Sequence, residues 1–288
     1  MSSEPSAENI WAGVVPGPAW LFCPADRPER FRKAAAAADV VILDLEDGVA
    51  PADKPAARRA LADVPLDPDR TVIRVNAHGT DDYALDCAAL DRTPYTAVML
   101  PKCESVDHAL DLAPLSVIAL VESPRGALVI DRVVEAENVV GVMWGAEDLV
   151  AALGGASSRR IEGSYRDVAR HVRSTALLAA KAHGRFALDS VFLDIPDLDG
   201  LGEECEDAVA VGFDAKVAVH PSQIDVIRRA YAPSAEQLGW AERVLAAASR
   251  ERGVFAFEGR MVDAPVLRHA EEIVRRSGVA SPGGEVTE

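Results

Sequence analysis

Eight short apolar runs recur along this chain, and each is followed by a stretch with helical, 3.6-residue spacing. In order they are WLFCPA from Trp20, residues 40–46, TVIRVNA from Thr71, AVMLPK from Ala97, VIALVES from Val117, VVGVMWG from Val139, FALDSVFL from Phe186 and AKVAVHP from Ala215. The runs are continuously apolar and do not alternate strictly. That pattern belongs to parallel strands covered on both faces. Eight β/α repeats predict a TIM (β/α)8 barrel, with a doubly wound open sheet as the alternative.

No Pro/Gly/Ser-rich linker interrupts the repeats, so one barrel is expected over residues 18–233. Two more helical stretches flank GVFAFEGRMVDAP and predict a C-terminal helical extension over residues 234–280. Residues 1–17 and 281–288 read as a disordered lead and tail. The chain has 288 residues, 49% of them hydrophobic, which is enough for a sizeable core. Its net charge of -16 argues against nucleic acid or an anionic membrane as a partner. No apolar stretch reaches membrane-spanning length, and the first twelve residues lack the features of a signal peptide. Cys23, Cys87, Cys103 and Cys205 form no CxxC pair, which suits free thiols in a cytoplasmic protein.

Barrel active sites lie at the C-terminal ends of the strands. Asp44 and Glu46 end the second run on one face, followed by Asp47, and Arg74 and Asn76 stand two apart in the third. Lys102 ends the fourth and Glu122 the fifth; the sixth leads to Glu147 and Asp148; Asp194 and His220 follow the seventh and eighth. A single carboxylate at a strand end is more often a helix cap or loop partner than a catalytic group, and Asp47, Asp148 and Asp194 each precede a helical segment. The convergence of the whole set on one rim predicts a shared charged pocket. Oxygen ligands without nearby His or Cys suit Mg²⁺, with Glu122 and Asp148 as candidate ligands. A cation beside Arg74 suits an α-oxo acid and its enolate. Imine chemistry on Lys102 competes with a plain ion pair to the carboxylates, and the ion pair is preferred. LGGASSRR, from Leu153, reads as a mobile loop over the barrel mouth. Phosphate-binding glycine motifs and a Gly-x-Ser-x-Gly elbow are absent.

The ordered motifs FCPADRPERFRKA, VILDLEDGVAPADKPAAR, VIRVNA, MLPKCES, LVESPRG, WGAEDL, HPSQI and FAFEGRMVDAPVL resemble those of citrate lyase β-subunit-like proteins. That family includes malyl-CoA, citramalyl-CoA and other β-hydroxyacyl-CoA lyases. The resemblance runs from about Pro18 to about Ala270. It implies a Mg²⁺-dependent barrel that cleaves a β-hydroxyacyl-CoA into an acyl-CoA and an α-oxo acid, or runs the reverse condensation. It implies a homotrimer or a dimer of trimers, with the C-terminal extension packed on a neighbouring subunit. By the resemblance, Glu122 and Asp148 match the metal ligands, and Arg74 the arginine that binds the oxo acid and enolate oxygen. Asp263 matches an acid/base aspartate delivered to a neighbouring barrel, and Asp44, Glu46 and Asp47 match a supporting acidic strand end. CoA phosphates need a basic patch, for which Arg27, Arg30 and Lys33 are candidates, with a solvated helix face as the plain alternative. Lys54 and Arg58 are weaker candidates. A stand-alone lyase is the preferred reading. The alternatives are a citrate lyase subunit acting on a carrier-bound acyl group and a malyl-CoA thioesterase.

Overall fold

The computed structural model describes residues 11, 15–251 and 253–279. The eight runs become eight parallel strands: β1 (Ala19–Pro24), β2 (Val40–Asp44), β3 (Thr71–Arg74), β4 (Ala97–Leu100), β5 (Ser116–Val121), β6 (Val139–Trp144), β7 (Phe186–Asp189) and β8 (Ala215–Ala218). They hydrogen-bond in sequence order and close where Ala19 of β1 pairs with Lys216 of β8. The architecture is the TIM barrel, and the open-sheet alternative is excluded by that closure.

Helices α1 (Phe31–Ala37), α2 (Lys54–Asp63), α3 (Asp81–Leu90), α4 (Val106–Leu110) and α5 (Pro124–Val133) return the chain between the first six strands. Both α6 (Ala146–Ala152) and α7 (Asp167–Ala182) separate β6 from β7; α8 (Leu198–Val211) precedes β8 and α9 (Ile224–Tyr231) follows it. No helix of the described residues is long and apolar enough to cross a membrane.

The strand period of two sorts the side chains. Trp20, Ile42, Val72, Met99, Ile118, Leu120, Phe186 and Val217 fill the barrel. Leu21, Leu43, Ile73, Val98, Ala119 and Ala187 face the helices. Steps of two along the inward face lead from Ile42 to Asp44, from Val72 to Arg74 and from Leu120 to Glu122. The inward face thus carries these three polar residues to the mouth. Trp11, inside the stretch expected to be disordered, is fully buried and packs edge-on against Trp20. It helps fill the barrel interior. The rest of that lead up to residue 14, and the tail from 280, lie outside the described residues.

The extension consists of α10 (Ala235–Ala248), a hairpin of β9 (Phe255–Phe257) and β10 (Arg260–Val262), and α11 (Ala264–Val279). Glu258 and Gly259 both have positive φ, 48° and 77°. A two-residue hairpin turn matching the strand twist requires that geometry. Ala241, Val244, Val262, Ala270 and Ile273 form a small core of their own, apart from the barrel core.

Candidate active site

Register places Asp44 directly beside Arg74. The Arg74 guanidinium donates from Nε and Nη2 to the two Asp44 oxygens at 2.7 and 2.6 Å. Asp44 also accepts the backbone N–H groups of Glu46 and Gly48, at 2.9 and 2.8 Å. Its carboxylate is therefore committed on every side. Asp44 holds Arg74 in place and is not free to bind substrate directly, which narrows the role expected of it. The Arg74 Nη1 lies 2.9 Å from Glu46 Oε2. That contact is an ion pair without hydrogen-bond alignment, because the oxygen has no hydrogen-bond partner. The guanidinium rests against the Phe22 ring, 4.8 Å from its centre. With five N–H donors on a guanidinium, donors remain for a ligand after these contacts.

Lys102 reaches across from the end of β4. Its ammonium is 2.6 Å from Glu46 Oε1, 3.9 Å from Asp47, 3.7 Å from Glu122 and 3.8 Å from Asp148. Burial alone would lower its proton affinity, but Glu46 and Glu122 raise it above the ordinary lysine value. A lysine held protonated is a poor imine-forming nucleophile, so the ion-pair reading stands. Its backbone φ of 50° is unusual for a side-chain-bearing residue. There the Lys102 N–H donates to Glu122 Oε1 at 3.2 Å.

Glu122 is 3% exposed at the end of β5. Burial, then the neighbouring charges of Glu46 and Asp148, push its carboxyl up to about 8 against the pull of Lys102 and Arg74. Glu46 is raised as well, again chiefly by burial. Gly145 caps the approach. A β-carbon there would sit 2.9 Å from Glu122 Oε2, so the chain passes closer to the carboxylate than any side chain permits. Asp148 comes not from a strand end but from the first turn of α6. The helix start after Gly145 turns it back toward Lys102.

These oxygens fit a hard divalent cation. Buried Glu122 is repelled by Glu46 and by the half-exposed Asp148, and the one ammonium that reaches Glu122 and Asp148 does so at 3.7 to 3.8 Å. No group of three or more His, Cys, Asp or Glu gathers to hold a metal among the described residues. Glu122 and Asp148 would supply two ligands and leave other positions to water and substrate, as Mg²⁺ prefers.

The remaining candidates separate. Arg27 and Arg30 follow β1 at the same rim, 55% and 64% exposed, beside Asp26 and Glu29 at 3.6 and 3.9 Å. Lys33 is exposed on α1. Lys54 and Arg58 are buried and spent elsewhere. Lys54 donates to the carbonyls of Leu45 and Glu46 and to Asn76, and Arg58 to Asp82 and Asp86. Lys54 braces the chain just past β2, Arg58 ties α2 to α3, and neither is available to phosphate. Asp194 is exposed five residues beyond β7, and His220 caps a 3-10 turn through Ser222. Asp263 caps α11, its Oδ1 accepting the Val266 N–H at 3.3 Å. Within one chain it stands beside Val262 of the extension's own core.

The loop after α6 is exposed over residues 153–157 and anchored at Ser158 and Arg159. Ser158, 2% exposed, donates to Glu147 at 2.6 Å; Arg159 pairs with Glu204 at 2.7 Å and stacks 3.8 Å over Tyr165. Sequence reading also passed over a buried network behind the staves. Lys216 of β8 contacts Asp189 of β7 and Glu204 of α8 at 3.1 and 2.8 Å, and Arg173 of α7 and Trp144 of β6 complete it. The available signal was a lysine inside an otherwise apolar run, AKVAV.

Residues 19–221 match the family model described as HpcH/HpaI aldolase/citrate lyase, the whole barrel with its charged mouth. The chain belongs to this family. A citrate lyase subunit beta-like protein of Mycobacterium tuberculosis is 67% identical over 265 residues, covering 92% of this chain and 97% of that one. Human mitochondrial citramalyl-CoA lyase is 31% identical, covering 90% and 85%. The crystal structure of CitE from M. tuberculosis in complex with magnesium, acetoacetate and coenzyme A superposes with a TM-score of 0.88 at 68% identity, covering 91% of this chain and 98% of that one. The family thus joins the charged mouth found here to lyase chemistry.

Proposed function

We propose that this protein is a stand-alone, Mg²⁺-dependent carbon–carbon lyase. It cleaves a β-hydroxyacyl-CoA into an acyl-CoA and an α-oxo acid or related carbonyl compound, or forms it by the reverse condensation. The observation that carries this reading is the buried Arg74 anchored by Asp44 beside the mutually repelling Glu122, Glu46 and Asp148. It offers a fixed positive fork and a cation-seeking carboxylate set at one barrel mouth. A cation and a small oxo acid are what those two features would take, and the related CitE structure holds magnesium and acetoacetate, together with coenzyme A.

A magnesium ion held by Glu122 and Asp148 would polarise a substrate carbonyl and offset the negative charge that builds on the departing enolate. Arg74 binds the oxo-acid carboxylate and stabilises charge on the adjacent oxygen, its orientation fixed by Asp44 so that no reorganisation is needed during reaction. Glu46 and Lys102 hold each other in position across the wall of the site. Arg27, Arg30 and Lys33 at the rim carry the CoA phosphates. Asp263 moves a proton at the β-hydroxyl or the acetyl carbon in the barrel of a neighbouring subunit. The extension has a surface suited to such an assembly. Met261, 66% exposed, lines a groove with Trp240, Phe257 and Val266.

A panel of β-hydroxyacyl-CoAs with and without Mg²⁺, scored for acyl-CoA and free oxo acid, tests the reaction. Release of CoA thiol without an oxo acid would identify a thioesterase. Turnover only of carrier-bound substrate would identify a complex subunit. For Asp263, mixed oligomers of inactive Asp263→Asn and Glu122→Gln chains regain activity if the residue acts in trans. Mixed oligomers that form and stay inactive would refute it.

A further inference from the structure

A cavity of about 70 Å³ lies at the opposite end of the barrel from the carboxylates. Its walls fix that position. Pro18 leads into β1, Asp39 into β2 and Asp214 into β8, so the cavity sits beneath the N-terminal ends of the staves. Helix α9 contributes Arg228 and Tyr231, and α11 contributes Arg275 and Arg276. The cavity therefore straddles the seam between barrel and extension.

Most charges around it are already matched. Arg228 donates to Asp39 at 2.6 and 3.0 Å, and Asp39 accepts the Ala19 N–H at 2.9 Å with its other oxygen. Arg275 forks onto Glu272 at 2.6 and 2.8 Å. Asp214 pairs with Lys181 at 2.5 Å and accepts the Ala187 N–H at 2.7 Å. Two donors are left over. The Tyr231 hydroxyl, on a residue 3% exposed, has no hydrogen-bond partner. The Arg276 Nε is buried without one, and the nearest Glu272 oxygen is 3.8 Å away. Lys181, Arg228, Arg275 and Arg276 outnumber Asp39, Asp214 and Glu272 by one charge, and Arg276 is the most weakly matched, its one long contact being to a Glu272 oxygen that Arg275 already holds at 2.6 Å. Leaving a buried donor unsatisfied costs roughly 1–3 kcal/mol, more for a charged group. Tyr231 and Arg276 both line the cavity, each with a donor left without a hydrogen bond, and such a site suits an oxyanion.

We propose that this cavity binds a small monocarboxylate, its oxygens on Arg276 and Tyr231 and its short apolar end against Val15, Pro18 and Ala232. The volume admits only a few heavy atoms. A doubly charged anion would meet the carboxylates of Asp39 and Asp214, which also line the space. Because Tyr231 ends α9 and Arg276 lies on α11, the ligand ties the barrel to the extension. Asp263 immediately precedes α11, so the bound carboxylate steadies the segment that carries it.

Acetate binding, followed by saturation-transfer NMR on the full chain in EDTA, tests this. An Arg74→Gln background silences carboxylate binding at the mouth. Saturable acetate binding is expected there, weakened about tenfold by adding Arg276→Gln, the value of a charged hydrogen bond. Tyr231→Phe should weaken it severalfold, and that change removes only a hydroxyl, so the test survives if Arg276→Gln fails to fold. Absence of saturable binding in the background overturns the proposal, as does binding unchanged in both variants. Phosphate binding more tightly than acetate overturns the carboxylate assignment.

Discussion

Two clusters of charge built around buried carboxylates share this barrel, one at its mouth around Glu122 and one behind its staves around Asp189. At the mouth, Asp44, Glu46, Glu122 and Asp148 face only Arg74 and Lys102. Behind β7 and β8, Asp189, Glu204 and Asp207 are matched by Lys216, Arg173 and Arg159. Burial pushes carboxyls up in both places. At the mouth nothing fully offsets it, and Glu122 rises to about 8. Behind the staves Lys216 and Arg173 overcome it, and Asp189 falls to about 2. A balanced cluster is scaffold, since each charge has its partner and no ligand is needed. An unbalanced one is a site, because its negative charge is completed only by something from solution.

The largest effect expected from this contrast is at the mouth. Glu122→Gln or Asp148→Asn should lower Mg²⁺-dependent turnover by about a thousandfold or more, on the order of 4 kcal/mol of transition-state stabilisation. The unfolding midpoint should hold or rise, since each change relieves repulsion between carboxylates. Steady-state kinetics with urea unfolding of the same samples measures both. A variant that keeps full turnover in excess EDTA would remove the metal from the reading.

The matched cluster should respond in the opposite sense. Asp189→Asn leaves Lys216, fully buried, with Glu204 as its remaining carboxylate. A stability loss of about 3 kcal/mol is expected, within the range for breaking a buried pair. Adding Lys216→Met should recover part of it, because the uncompensated charge is then gone. Urea unfolding of the single and double variants decides this. A double variant less stable than the single would show that the pair itself is favourable.

A smaller effect is expected in acid. The Asp189 carboxyl is depressed from 3.8 to about 2 in the folded chain. The unfolded chain therefore binds more protons between those values. The stabilisation is fully present above about pH 4 and is lost as the pH falls toward 2. At 1.36 kcal/mol per pKa unit it amounts to roughly 2 kcal/mol. Asp189→Asn should flatten the acid limb of the stability curve in that window. An unchanged limb would assign acid sensitivity to other carboxylates.

The same contrast explains what could be read in the sequence. The eight parallel strands were legible because short, continuously apolar runs alternate with helical spacing eight times, while closure into a barrel rests on the pairing of β1 with β8, which no local pattern displays. Arg74 and Glu122 were legible because the period of two carries an inward face to the mouth. Asp148 was found but misplaced, since a residue four past a strand can belong to the next helix. The matched cluster was invisible because Asp189, Lys216 and Arg173 lie far apart in sequence, and the pairing of β7 with β8 is what joins them. The commitment of Lys54 and Arg58 was hidden likewise, because a basic residue near a mouth looks the same whether its partner is a phosphate or a buried carbonyl.

Arg74 has a foot in both kinds of cluster, and the smallest predicted effect follows from that. Its Nε and Nη2 are matched by Asp44, as in scaffold, while its remaining donors face the site. Arg74→Lys keeps a positive charge near Asp44 and Glu46 but cannot serve Asp44 and a substrate carboxylate together, since an ammonium lacks the planar fork. The loss should therefore appear as substrate recognition. About a tenfold fall in kcat/KM is expected, near 1.4 kcal/mol, with unfolding shifted far less than in Asp189→Asn. Asp44→Asn separates the two functions. It weakens the anchor while leaving the guanidinium, so it should lower kcat/KM by a similar factor through lost orientation. If Asp44→Asn is silent while Arg74→Lys is impaired, the anchor is dispensable and Arg74 belongs to the site alone. If both are silent, Arg74 belongs with the matched residues behind the staves.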